Sequence, residues 1–491
     1  MTVTRRRYRS TFTVLTVAVA AFALLQSLVI PVLGELQREL HTDQATITWV
    51  LTAYLLSASI CTPLLGRLGD VVGKKRMLVL TLIALSVGSL MAGLSPTVGW
   101  LIVARVVQGA GGGVLPLSFG IIRDEFPREK MNSGLSILAS LAAAGFGVGI
   151  VVAGPIVDLL GYHWLFWLPM IATGLAAVAA LALVPESPVR TPGRIPVLPA
   201  LLLSSWLAAL LLGLSQGNTW GWGSARVLAL FAAALVLAVV WVVVETRVPV
   251  PLIDMQMMRA RGVWTANVVA AFVGFGLYAS LGFLPQLLQT PPEAGYGFGA
   301  SITESGHILL PSAAASFLMG FTTAPLIRVF GARIVVVTGC LATSAAFASI
   351  ALWHSATWQL YAATTVQGVG SGLVFSSLAG VVIASVSPAQ TGVASGMNAN
   401  IRTIGGSIGS AVMAGLVTAQ TGATGLPLER GYVIGFVVLA GGMVVAATAA
   451  CVMPDIHDQP THDRFEDADN AGLGMVAGGP ALTERHDTPR S

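Results

Sequence analysis

Residues 66–76 read Gly66-Arg67-Leu68-Gly69-Asp70-Val71-Val72-Gly73-Lys74-Lys75-Arg76. Four cations and one carboxylate lie here between apolar runs near 46–66 and 77–94. Glycines permit a tight turn and a close approach of flanking helices. Asp70 can accept from basic groups and from a helix N-terminus. A short basic loop between two runs of about 20 apolar residues is the pattern expected at one face of a membrane.

The rest of the chain agrees. Of 491 residues, 55% are hydrophobic and 10% charged, and the mean hydropathy is +0.80. A soluble domain carries about 25% charged residues, so lipid must be the solvent for most of this chain. Apolar runs are predicted to cross near 11–33, 46–66, 77–94, 98–122, 132–157, 164–184, 196–214, 226–245, 263–288, 305–327, 333–353, 358–384, 392–418 and 430–453. With the N-terminus placed inside, 21 of the 26 Lys and Arg fall on inner segments and three, Arg38, Arg226 and Arg430, on outer ones. That bias predicts both termini in the cytoplasm. Arg5, Arg6, Arg7 and Arg9 before the first run imitate a signal peptide, but the run is long enough to span. The net charge is +4; without residues 454–491, which hold eight acids and three arginines, it is +9. This excess sits in short loops and is topological; no nucleic-acid partner is expected. Cys61, Cys340 and Cys451 lie in apolar runs with no CxxC pair, so neither a disulfide nor a metal is expected.

The chain also repeats itself. Trp100–Ser118 and Trp358–Ser376 share a Val-Gln-Gly core at 107–109 and 366–368, and Ser133-Gly134-Leu135 is echoed by Ser395-Gly396-Met397. A degraded echo of the basic loop runs through Pro325, Arg328, Gly331 and Arg333. The predicted organisation is a cytoplasmic N-terminus (1–10), a six-helix half (11–184), a linker with two extra helices (185–262), a second six-helix half (263–453) and a disordered cytoplasmic tail (454–491). Parallel repeats of this kind place a substrate path between the halves.

Several stretches carry a resemblance. The 66–76 segment resembles the GxLaDrxGrkr signature of the major facilitator superfamily, with Gly69 where Ala is usual. Arg105-Val106-Val107-Gln108-Gly109 is similar to the RxxQG form of a motif in proton-coupled members. Gly145-Phe146-Gly147-Val148-Gly149 followed by Gly154-Pro155 resembles the antiporter signature GxxxGPxxGG, with Val157-Asp158 in place of Gly-Gly. The all-α integral membrane fold so implied is that of the fourteen-helix drug:proton antiporters. The resemblance implies secondary-active export of hydrophobic or cationic drugs or antibiotics, in exchange for protons, by a monomer in the bacterial cytoplasmic membrane, with no cofactor. It also implies a conformational latch at Gly66, Asp70, Gly73, Lys74, Lys75 and Arg76, and proton coupling at Arg105.

The first run departs from the family. Related exporters often carry an acid there; this chain has Leu24-Leu25-Gln26-Ser27. Gln26 is therefore a candidate substrate contact, or a helix contact. Further candidates for coupling or cavity roles are Gln108, Asp158, Glu304, His307 and Arg402. An ionisable side chain inside a span needs a wet cavity or a partner, and His titrates near neutrality. Gly149, Gly154 and Pro155 are candidates for close helix packing and a bend. Metabolite uptake or uniport, and a non-transporting sensor, remain alternatives. Gly213-Leu214-Ser215-Gln216-Gly217 fits GxSxG, but that elbow needs a strand–turn–helix in an α/β sheet; no enzyme activity is expected. No GxxxxGK[ST] phosphate loop is present, which points to an ion gradient as the energy source.

Overall fold

The computed structural model describes residues 2–42, 44–186, 196–249, 251–387, 390–418 and 426–455. The predicted tail lies outside the described residues from 456 onward.

An N-terminal group comprises α1 (Thr2–Leu28), the short α2 (Leu33–Glu39), α3 (Gln44–Val72), α4 (Lys74–Gly93), α5 (Val98–Gln108), α6 (Val114–Glu125), α7 (Arg128–Leu160) and α8 (Trp164–Leu183). Then come α9 (Val197–Trp220), α10 (Ala225–Arg247) and the five-residue α11 (Met255–Arg259). A C-terminal group follows: α12 (Arg261–Gln289), α13 (Ile302–Leu352), α14 (Thr357–Ala384), α15 (Thr391–Thr418) and α16 (Glu429–Cys451). Among the described residues, 13 helical segments are long and apolar enough to cross a membrane. One of them, α13, holds Gly331 at φ 77°, ψ 154° and so joins two crossings, giving fourteen. In lipid each backbone polar group must be satisfied within its own segment, which is why the apolar runs are helical.

The expected 66–76 loop is almost absent. α3 runs to Val72, α4 starts at Lys74, and only Gly73, at φ 126°, separates them. Hydropathy falls at the charges, but the backbone goes on bonding to itself through them. Gly331 occupies the same place in the echo as Gly73; both positive φ angles suit a residue without a Cβ.

Glycine also shapes the crossing built from α5 and α6. Gly109–Gly113 forms a 3₁₀ turn between them. A Cβ on Gly112 would stand 2.9 Å from the carbonyl oxygen of Ala58, so this turn lets the crossing press against α3.

One apolar core gathers residues of α1, α3, α4, α6, α7 and α8; a larger one gathers α12 to α16 with α9 and parts of α7 and α10. The two groups meet along α7 and α13 and along α3 and α15. The Ser140 and Ser376 hydroxyls are 2.5 Å apart, and a Cβ on Gly306 would stand 3.1 Å from Cα of Val151. The inserted α9–α10 pair leans on this seam: Ser215 of α9 bonds Thr52 of α3 at 2.7 Å, so GxSxG lies inside a helix. Buried Glu245 ends α10, accepting from Trp241 Nε1 (3.1 Å) and from the backbone amides of Leu252 (2.9 Å) and Ile253 (3.3 Å). Leu235, Val236 and Val239 of α10 are exposed, as suits a lipid-facing helix.

Candidate functional site

A cavity lies between the two groups. Four helices contribute stripes at helical spacing: Phe22, Ala23 and Gln26 of α1; Ala139, Ala142, Ala143 and Phe146 of α7; Phe375, Leu378, Ala379 and Val382 of α14; Ser395, Asn398, Ala399 and Arg402 of α15; Leu277 and Tyr278 of α12 close the wall. Residues at i, i+3, i+4 and i+7 share one helix face. Thus two sequence candidates, Gln26 and Arg402, reach one space from helices nearly 400 residues apart in the chain. The Arg402 guanidinium lies 4.8 Å from the centre of the Phe375 ring, and Tyr278 lines the same space. Tyr278 meets Phe146 edge-on at 5.6 Å. Asn398 Nδ2 donates to Asn267 Oδ1 at 2.9 Å and to the Ala266 carbonyl at 3.3 Å. Gly405, Gly409 and Gly274 bring α12 and α15 into backbone contact around Arg402; a Cβ on any of them would strike the facing backbone.

The latch candidates gather on the face where α3 ends and α15 begins. Lys74 is fully buried, with Nζ 2.6 Å from Asp124 Oδ2 and 3.8 Å from Asp70 Oδ1. The Asp70 carboxylate faces the amide of Val393 across the group boundary. Beneath it, a Cβ on Gly66 would stand 2.5 Å from the Gly392 carbonyl oxygen. Arg123, at the end of α6, donates to three groups of the C-terminal half of the chain: the Val386 carbonyl (2.8 Å), the Ser387 carbonyl (3.3 Å) and the Thr391 hydroxyl (2.5 Å). Gln390 in turn donates to Asp254 at 3.1 Å. A Cβ on Gly73 would stand 2.5 Å from Glu186 Oε1, and Arg76 pairs with Glu186 at 3.4 Å on the surface. Lys75 is half-buried.

Arg105 lies elsewhere. It is fully buried inside the N-terminal group, where Nε donates to the Val50 carbonyl at 3.1 Å and Nη1 to Gln108 Oε1 at 2.8 Å. Gln108 Nε2 passes on to the Ser89 hydroxyl at 3.0 Å, and the guanidinium stacks 4.3 Å from the centre of the Tyr54 ring. Neither Arg105 nor Gln108 lines the cavity. Carbonyl, amide and aromatic groups are the partners of the guanidinium.

Asp158, Glu304 and His307 are exposed at the opposite end of the bundle, away from the cavity. Glu304 closes a capping box with Ser301 at the start of α13, accepting from the Ser301 amide at 2.8 Å while its own amide donates to the Ser301 hydroxyl at 3.2 Å. Gly149 packs against Ser27 of α1; Gly154 and Pro155 lie inside α7, where Pro155 is exposed.

Sequence reasoning passed over Asp124, Arg123, Tyr278 and Asn398. Asn398 carried a legible signal, since it precedes Arg402 by four residues and so shares its helix face. Arg123 and Asp124 lie just past the predicted run 98–122 and before Pro127, where hydropathy reads them as part of a loop.

Comparison with known proteins agrees with this architecture. The chain is 29% identical to the tetracenomycin C resistance and export protein of Streptomyces glaucescens, over 84% of this chain and 76% of that one. It is 28% identical to the cephamycin export protein of Amycolatopsis lactamdurans, over 87% and 89%. A multidrug transporter of Bacillus subtilis, MdtP, matches at 27% over 77% and 69%. The crystal structure of the human organic anion transporter MFSD10 superposes with a TM-score of 0.66 at 16% identity, over 90% of this chain and 99% of that one, a likeness of fold. The Major Facilitator Superfamily model matches residues 15–290 and 266–482. A fourteen-crossing helical bundle with a central cavity, matched over most of its length by that model, belongs to the Major Facilitator Superfamily.

Proposed function

We propose that this protein is a secondary-active exporter of hydrophobic, drug-sized compounds, working as a monomer by alternating access and exchanging substrate for protons. Its setting is the bacterial cytoplasmic membrane, with both termini and the latch face in the cytoplasm. The observation that carries this reading is the cavity between the two groups, walled by Phe22, Phe119, Phe146 and Phe375. Largely apolar, concave sites with a few placed polar groups suit small-molecule ligands. The export proteins among the relatives support the direction of transport. The two six-helix halves, 11–184 and 263–453, would rock about the α7–α13 seam.

In this reading the latch closes the cytoplasmic side. Asp70, Lys74 and Asp124 hold the ends of α3, α4 and α6 together, and Arg123 ties that cluster to 386–391. Opening inward must break those contacts. Arg105 and Gln108 tie α3, α4 and α5 into one body, and α6, with Phe119 at the cavity and Arg123 and Asp124 in the latch, carries a change from one to the other. Proton coupling draws on this network. The test is efflux of a fluorescent hydrophobic probe from proteoliposomes under an imposed pH gradient. Gradient-dependent movement that is lost in Arg105→Ala supports the reading; movement indifferent to the gradient refutes proton exchange.

A further inference from the structure

The charge of the cavity narrows the substrate class. Among the described residues, Arg402 is the sole charged side chain lining it; Gln26, Tyr278, Ser395 and Asn398 supply the remaining polar groups. No carboxylate pairs with Arg402 there, and its neighbours are Tyr278 and the face of Phe375. Two cations buried in the N-terminal group, Lys74 and Arg105, differ. Lys74 has Asp124 at 2.6 Å. Arg105 is fully buried against Val50, Gln108 and Tyr54 and does not line this cavity. Among the described residues that line the cavity, Arg402 combines a missing counter-charge with open space beside it.

A guanidinium at membrane depth is costly and is expected to find a partner. Here the partner position opens on the cavity. An anion placed there gains the strong pairing of a low-dielectric site and the planar fork geometry that guanidinium offers to carboxylate. A cation placed there is repelled with no acid to offset it. The site is also held in place: glycines of α12 and α15 bring the backbone of Arg402 hard against Gly274. Around it the wall is aromatic, with Phe119, Phe146 and Phe375 facing the same space.

Resting on the export reading above, we propose that the cavity binds amphipathic monoanions: an aromatic or polycyclic body bearing one carboxylate or ionised phenol, with the anion on Arg402 and the rings against the phenylalanines.

The test uses three probes on one ring system: anthracene-2-carboxylate, its methyl ester, and 2-(aminomethyl)anthracene as the cation. Binding is measured by fluorescence to the full chain in nanodiscs of zwitterionic lipid. The carboxylate is expected to bind at least tenfold more tightly than either of the others. Arg402→Gln is expected to erase that difference and Arg402→Lys to retain part of it. If Arg402→Gln does not fold, the selectivity of the unaltered protein and of Arg402→Lys decides. Equal binding of the three probes, preference for the cation or the ester, or no binding of the carboxylate overturns the proposal. Transport in proteoliposomes separates this from the export reading. A carboxylate bound through Arg402 but never moved under any imposed gradient refutes export and leaves the binding site standing. A cation moved independently of Arg402 leaves export standing and refutes the anion site.

Discussion

Gly66 of α3 and Gly392 of α15 meet backbone to backbone across the two helical groups: a Cβ on Gly66 would stand 2.5 Å from the Gly392 carbonyl oxygen, and one on Gly392 would stand 2.6 Å from that of Gly66. Neither neighbour is a side chain that can rotate away. Overpacking costs about 1–3 kcal/mol, and about 1.4 kcal/mol changes an equilibrium tenfold. Gly66→Ala or Gly392→Ala should therefore shift the protein away from the latched state by roughly tenfold or more. Distances between spin labels at the ends of α3 and α15 read the shift; an unchanged distance distribution would show that the contact does not set the equilibrium.

The Lys74 ammonium has almost no exposure and is shared between Asp124 and Asp70. Removing one partner of a buried ion pair costs about 3–5 kcal/mol. Asp124→Ala should lower thermal stability by that order. Arg76→Ala breaks an exposed pair with Glu186 and should cost no more than about 1 kcal/mol. Melting curves in one detergent rank the two, and equal losses would contradict the burial argument.

Arg105→Lys keeps the charge but loses the fork that reaches Val50 and Gln108 together. Unsatisfied buried groups cost about 1–3 kcal/mol. Both Arg105→Lys and Arg105→Ala should lose stability in that range, and both should slow gradient-driven efflux by more than tenfold. Efflux at the unaltered rate in a stable Arg105→Lys protein would remove Arg105 from the coupling network.

Asp158 and His307 are exposed and remote from the cavity. Asp158→Asn and His307→Gln should leave both efflux rate and its dependence on the pH gradient within twofold of the unaltered protein. A lost pH response in either would place a proton site at that end of the bundle. Glu304→Ala, by opening the capping box with Ser301, should lower the melting temperature slightly without changing efflux.

What the sequence determined by itself is what depends on short stretches of chain. Hydropathy and charge are read within about 20 residues, and they sufficed for an all-helical membrane protein with fourteen crossings. The glycines at 73 and 331 were legible for a similar reason, since a positive φ is a property of one residue. Tertiary structure alone decided the partners. Lys74 meets Asp124 fifty residues later, and Gln26 shares a cavity with Arg402. Arg105 is turned into its own helical group and does not line that cavity. Each depends on how a helix is rotated about its axis and on which helix packs beside it. Helices hydrophobic on most sides leave that rotation open, because lipid and protein interior are nearly equivalent solvents for an apolar side chain. The choice is made by small-residue contacts such as Gly66 with Gly392 and Gly405 with Ala271, and those are pairings between distant parts of the chain.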